Sequence, residues 1–169
     1  MSRRNRRSDQ HSERRRAPIP CTNHLIVAPL WVAFGANLGT LLRTCDAVGA
    51  CMAVPDTAHY HQALKRGDTL SARPCVHWVE SKLGWIDRQQ RSGAQIIGVE
   101  LDEDSTSLRQ VHQASVGSVI LLGHEHSGLP AEVWPFLDRV VEIPMMGVGH
   151  SLNVAVAGSL VLYKLAGLS

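Results

Sequence analysis

The sequence predicts an α/β fold with a mostly parallel sheet covered by helices on both faces, and three observations carry that prediction. After Pro20, short apolar runs of strand length alternate with longer, helix-like segments, the order that builds βαβ units. No internal repeat or long linker interrupts the alternation. A chain of 169 residues, 44% of them hydrophobic, can bury one sizeable core. The elements follow in order. Residues 25–34 read as a strand, and 38–48 as a helix with Asn37 suited to its N-cap. Residues 51–54 read as a strand closed by Pro55, and the polar, weakly patterned stretch 56–73 as a short helix between loops. A strand at 76–79, a helix at 81–91, a strand at 95–101 and a helix at 105–113 continue the alternation. A strand at 118–122, a short helix at 131–137 after Pro130, a strand at 139–143 and a closing helix at 151–166 complete it. The globular domain is thus expected to span 21–169.

Charge sets residues 1–20 apart. The formal net charge is only +2, yet the first sixteen residues hold seven arginines against Asp9 and Glu13, a surplus of five, and the rest of the chain carries a net −3. This segment lacks any apolar run, so it is expected to be a disordered basic arm, and it has no apolar h-region of a secretory signal. Its arginines, Arg14, Arg15 and Arg16 among them, suit nucleic-acid phosphates, each worth roughly 0.7 to 0.9 units of salt slope. Cys21, Cys45, Cys51 and Cys75 form no C-x-x-C pair and sit among apolar residues. Buried thiols in a reducing cytoplasm are expected, with neither a zinc site nor a disulfide framework. The apolar run 152–168 approaches membrane-span length, but Asn153, Ser159 and Lys164 interrupt it, so it reads as a largely buried helix and no membrane is expected.

Three segments carry the chemistry. The stretch 143–165 joins a strand end, a Gly-rich loop and an apolar helix, the geometry in which backbone amides cradle a small ligand. Within it, Ser151 reads locally as an N-cap and Asn153 as a first-turn residue. A nucleophilic reading of Ser151 beside His150 fails, because no G-x-S-x-G elbow is present and adjacent residues seldom face each other. In the segment 121–130, His124-Glu125-His126 is not H-E-x-x-H and offers no third ligand, so no metal is expected there. Neither G-x-G-x-x-G after the first strand nor a P-loop appears, which argues against a nucleotide-dependent enzyme. In the segment 36–50, Asn37 and Arg43 can both project near the N-terminal end of one helix.

Taken in chain order, A-N-L-G-T-L-L-R, L-L-G-H-E-H-S-G-L-P and I-P-M-M-G-V-G-H-S-L-N-V resemble the three signature motifs of the SpoU/TrmH family, within the SPOUT superfamily. These are RNA ribose 2'-O-methyltransferases with a trefoil-knotted fold that use S-adenosylmethionine. Asn37, Gly39 and Arg43 match N-x-G-x-x-x-R, and Gly123, Glu125 and Gly128 match G-x-E-x-x-G. The resemblance implies catalytic roles for Arg43, Asn37, Glu125, Ser151 and Asn153. It assigns cofactor binding to backbone groups near Gly123, Ile143, Met145 and Leu152, with Glu125 orienting Asn37 or Arg43. Arginine is a poor literal base, so Arg43 is better suited to clamping a phosphate and stabilising a developing alkoxide. Ala155, Cys45 and Ala36 depart from residues common in the family, and none removes a residue assigned to chemistry. The resemblance also implies a homodimer joined through the closing helix and the first motif helix, where Leu152, Val156, Leu160, Tyr163 and Leu165 offer apolar surface. With little chain before the first motif, no separate RNA-binding domain is expected; the arm would partly replace it, and tRNA is a better candidate substrate than rRNA. The competing expectation is a catalytically silent RNA-binding protein of the same fold, which would have no chemical need to keep all five motif side chains.

Overall fold

The computed structural model describes Cys21, residues 24–67 and residues 75–169. The basic arm with Arg14, Arg15 and Arg16, and the end of the 56–73 segment, lie outside the described residues. Seven strands form one sheet: β1 (Leu25–Ala28), β2 (Cys51–Pro55), β3 (Val76–Val79), β4 (Gln95–Val99), β5 (Thr106–Ser107), β6 (Ser118–Leu122) and β7 (Arg139–Glu142). Their spatial order is β3-β2-β1-β6-β4-β7-β5, and every pairing between neighbours is parallel. Among the described residues four α-helices accompany them: α1 (Gly35–Val48), α2 (Ala58–Gly67), α3 (Lys82–Arg91) and α4 (Val154–Leu165).

Strand alternation divides the core in two. Leu25 and Val27 of β1 join Leu38, Leu41 and Leu42 of α1, Leu64 of α2 and Val161 and Leu162 of α4 in one cluster. Ile26 and Ala28 face the other way, onto Trp85 and Ile86 of α3 and Val133 of a 3₁₀ turn at Ala131–Phe136. The sheet is therefore covered on both faces, as the α/β pattern predicts. Central strands β1, β2 and β6 are buried along their whole length, which is why they read as continuous apolar runs. No helix among the described residues is long and apolar enough to cross a membrane.

Beyond shifts of one or two residues, the structure departs from the sequence reading in four places. The strand expected at 25–34 ends at Ala28, because Pro29 has no N–H to extend a ladder and the chain turns, with the Val32 N–H donating to the Pro29 carbonyl. Helix α1 starts at Gly35, so Asn37 lies within its first turn instead of capping it. The helix expected at 105–113 is instead the edge strand β5 followed by a 3₁₀ turn at Leu108–Gln110. Ser and Thr are weak helix formers, and pairing with β7 plus burial of Val111 prevail over them. Helix α4 begins only at Val154, and its cap is Asn153, not Ser151.

Candidate functional site

Strand order reverses beside β1, whose chain continues to β2 and β3 on one side while β6 and β4 lie on the other, and open α/β sheets bind ligands outside the strand ends at such a point. Here the carboxyl ends of β4, β6 and β7 border a cleft of about 640 Å³. Val99, Leu122, Val141 and Ile143 give it an apolar wall, and residues 150–154 close it from the loop before α4. That size and this mixed lining suit an organic ligand of cofactor size. Gly123 opens the loop after β6 on the cleft wall. A Cβ there would come within 2.2 Å of the Gly128 carbonyl carbon and 2.5 Å of the Leu129 nitrogen, so only glycine lets the two loop strands meet. The loop is tied by reciprocal His124 and Gly128 backbone bonds, and Glu100 accepts from the Leu129 N–H at 3.1 Å beneath it.

The three motif segments meet through one line of hydrogen bonds. Glu125 accepts from the backbone N–H groups of Ala33 at 2.9 Å and Phe34 at 3.0 Å, and from the Asn37 side-chain amide at 2.8 Å. Asn37 in turn accepts from the Asn153 side chain at 3.0 Å. Asn153 accepts from the N–H groups of Ala155 and Val156 at the start of α4. Burial pushes the Glu125 carboxyl up, but these N–H donors outweigh it and hold the group below its ordinary value. Tyr60 steadies the approach to the site: it donates to the Val32 carbonyl at 2.7 Å, and burial together with the Glu125 charge pushes its hydroxyl up to about 12.

Gly123, Glu125, Asn37, Ile143, Met145, Ser151, Leu152 and Asn153 all line the cleft. Arg43 does not: it is exposed on α1, beyond Asn37 along the helix, and is not part of the cleft wall. Ser151 and Leu152 are exposed in the loop that precedes α4. Phe34, Glu100 and Leu101 are lining residues that sequence reasoning did not single out; Glu100, directly after β4, carries the signal of a polar residue at a strand's carboxyl end. All four cysteines are free thiols, but the expectation that they are buried holds for only two of them. Cys45 and Cys51 are buried, Cys75 is half-buried and Cys21 is exposed, and three of the four converge with His77. They come from three separate chain segments, so no local spacing in the sequence announces them.

Known proteins resemble this chain over most of its described length. A family model described as the SpoU rRNA Methylase family matches residues 25–163. The chain is 33% identical over 150 residues to the mouse tRNA (guanosine(18)-2'-O)-methyltransferase TARBP1, covering 84% of this chain and 9% of that protein. It is 30% identical over 135 residues to the tRNA (guanosine(18)-2'-O)-methyltransferase of Aquifex aeolicus, covering 76% and 62% respectively. The chain thus spans less than two thirds of the length of these curated relatives. Among solved structures, the A. aeolicus TrmH/SpoU tRNA modifying enzyme superposes with a TM-score of 0.75 at 24% identity, over 95% of this chain and 83% of that one. An AdoMet-bound rRNA methyltransferase from Sinorhizobium meliloti superposes with a TM-score of 0.67 at 27% identity, over 88% and 59%.

Proposed function

Because the chain belongs to the SpoU rRNA methylase family, we propose that it methylates the 2'-hydroxyl of a ribose in RNA with S-adenosylmethionine as donor. The observation that carries this reading is the Glu125–Asn37–Asn153 line of hydrogen bonds, which joins all three motif segments on the wall of one cofactor-sized cleft. The cleft fits the cofactor, since it has the volume for it and sets an apolar wall of Val99, Leu122, Val141 and Ile143 beside polar groups at Asn37, Glu100, Ser151 and Asn153. When bound, the cofactor supplies a methyl group already electrophilic on its sulfonium.

The chain then has to align a ribose oxygen in line with that methyl, exclude water and dispose of the hydroxyl proton. Backbone groups near Gly123, Ile143, Met145 and Leu152 hold the cofactor, and the Ser151 hydroxyl faces the substrate side. Asn153 and Asn37 act mainly by position, since their amides are already engaged at both ends. Arg43 clamps a phosphate of the RNA and stabilises the developing alkoxide. Its exposed place on α1 is consistent with service at a cleft completed by a second copy, and we read the protein as a homodimer built on α1 and α4. Val156, Leu160 and Tyr163 support that reading: they lie 46%, 43% and 37% exposed along α4. The trefoil knot belongs to the same proposal, as does a cytoplasmic location in which the thiols stay reduced. Transfer RNA is the favoured substrate, because both relatives described above are named for it.

Nucleoside mass spectrometry on unmodified tRNA and rRNA, incubated separately with the protein and S-adenosylmethionine, tests the reading. New 2'-O-methylated nucleoside in the tRNA pool, absent with Arg43→Ala, is the expected result. No product in either pool, together with no measurable binding of S-adenosylmethionine, overturns it in favour of a silent RNA-binding protein.

A further inference from the structure

At the opposite end of the sheet from the cleft, the strand starts of β1, β2 and β3 lie side by side. Cys21 precedes β1, Cys51 opens β2, Cys75 precedes β3, and His77 stands two residues later in β3, on the same side as Cys75 by strand alternation. Cys21 Sγ lies 3.6 Å from Cys51 Sγ and 3.5 Å from His77 Nε2, and Cys75 Sγ lies 3.3 Å from the same nitrogen. All four ligand atoms fall within 4.8 Å of one another.

We propose that Cys21, Cys51, Cys75 and His77 form a structural zinc site. With ordinary Zn–S and Zn–N bond lengths, a tetrahedral centre has edges of about 3.8 Å between sulfurs and about 3.5 Å between sulfur and nitrogen. The separations of 3.6, 3.5 and 3.3 Å approach those edges and none of the others exceeds 4.8 Å, so side-chain adjustments of about 1 Å bring all four atoms to an ion. Three soft thiolates and one imidazole select zinc over magnesium or calcium, which prefer oxygen. Four protein ligands close the coordination shell and leave no open position for substrate, so the role is to hold structure. Binding releases the thiol protons and leaves a centre of net −1 charge. The ion ties Cys21, ahead of β1, to the starts of the two neighbouring strands β2 and β3.

Elemental analysis of the full chain, purified under reductant and dialysed, reads the site directly. One zinc per chain is expected, with Cys21→Ser and Cys75→Ser each losing most of it and Cys45→Ala, a core thiol outside the cluster, retaining it. Cys21→Ser is decisive, because Cys21 is exposed and outside every strand, so its loss does not disturb packing. Cobalt titration of the metal-stripped wild type needs no variant, and should give thiolate charge-transfer absorption and the visible bands of a tetrahedral centre. Absence of both zinc and the cobalt spectrum overturns the proposal. So does metal content that Cys21→Ser leaves unchanged, or a Cys21–Cys51 disulfide under the same reducing conditions.

Discussion

Glu125 collects N–H donors from Ala33, Phe34 and Asn37, and its carboxyl is held low despite burial because those donors favour the charged form. Its folded value lies below the unfolded one, so its contribution to stability is complete above the ordinary carboxylate range. That contribution is lost as pH falls through the lowered folded value. Glu125→Gln should therefore lower the melting temperature at neutral pH and flatten the acid limb of a melting-temperature profile; identical limbs would contradict the argument. Gly123→Ala forces a Cβ into the Gly128–Leu129 backbone, so calorimetry should show a loss of about 1 to 3 kcal/mol of stability and titration a loss of cofactor binding. Arg43→Lys keeps the charge but not the planar fork, and turnover is expected to fall about a hundredfold if phosphate clamping is bidentate. Near-normal turnover would remove that role.

Among the elements, the start of α4 separates two neighbouring motif residues. Asn153 caps the helix through the Ala155 and Val156 amides and also reaches Asn37, whereas Ser151 does neither. Asn153→Ala should cost about 1 kcal/mol or more in denaturant unfolding, while Ser151→Ala should unfold like the wild type yet lose methyl transfer. The sequence reading had the cap at Ser151, since Ser and Asn are equally good caps and both precede an apolar run; only the reach to Asn37, far away in the chain, decides between them. Strands β2 and β6 were legible nearly to the residue, because buried parallel strands leave unbroken apolar runs. The stretch 105–113 was not, because its pairing with β7 lies outside any local window. The same holds for the thiol cluster, where Cys51 and Cys75 meet through strand adjacency that their spacing in the chain does not encode.

At the level of the whole molecule, α4 keeps Val161, Leu162 and Leu165 in the core and turns Val156, Leu160 and Tyr163 outward. The expectation that Leu165 belongs to the outward surface is corrected by its 3% exposure. Changing Val156 and Leu160 together to Glu should yield a monomer in sedimentation analysis with its fold intact and its methyl transfer lost; a wild type that already sediments as a monomer would end the dimer proposal. The parallel sheet and its two-sided core were readable from alternation alone, while the meeting of Asn37, Glu125 and Asn153 needed the fold. The strand order also has a consequence in time. Strand β6 occupies the middle of the sheet, between β1 and β4, yet it comes late in the chain. Until the ribosome has released it, β1 and β4 each show a bare edge, and closing so wide a loop is slow. Synthesis of this molecule should therefore pass through a long-lived half-sheet, the stage at which a chaperone would matter most.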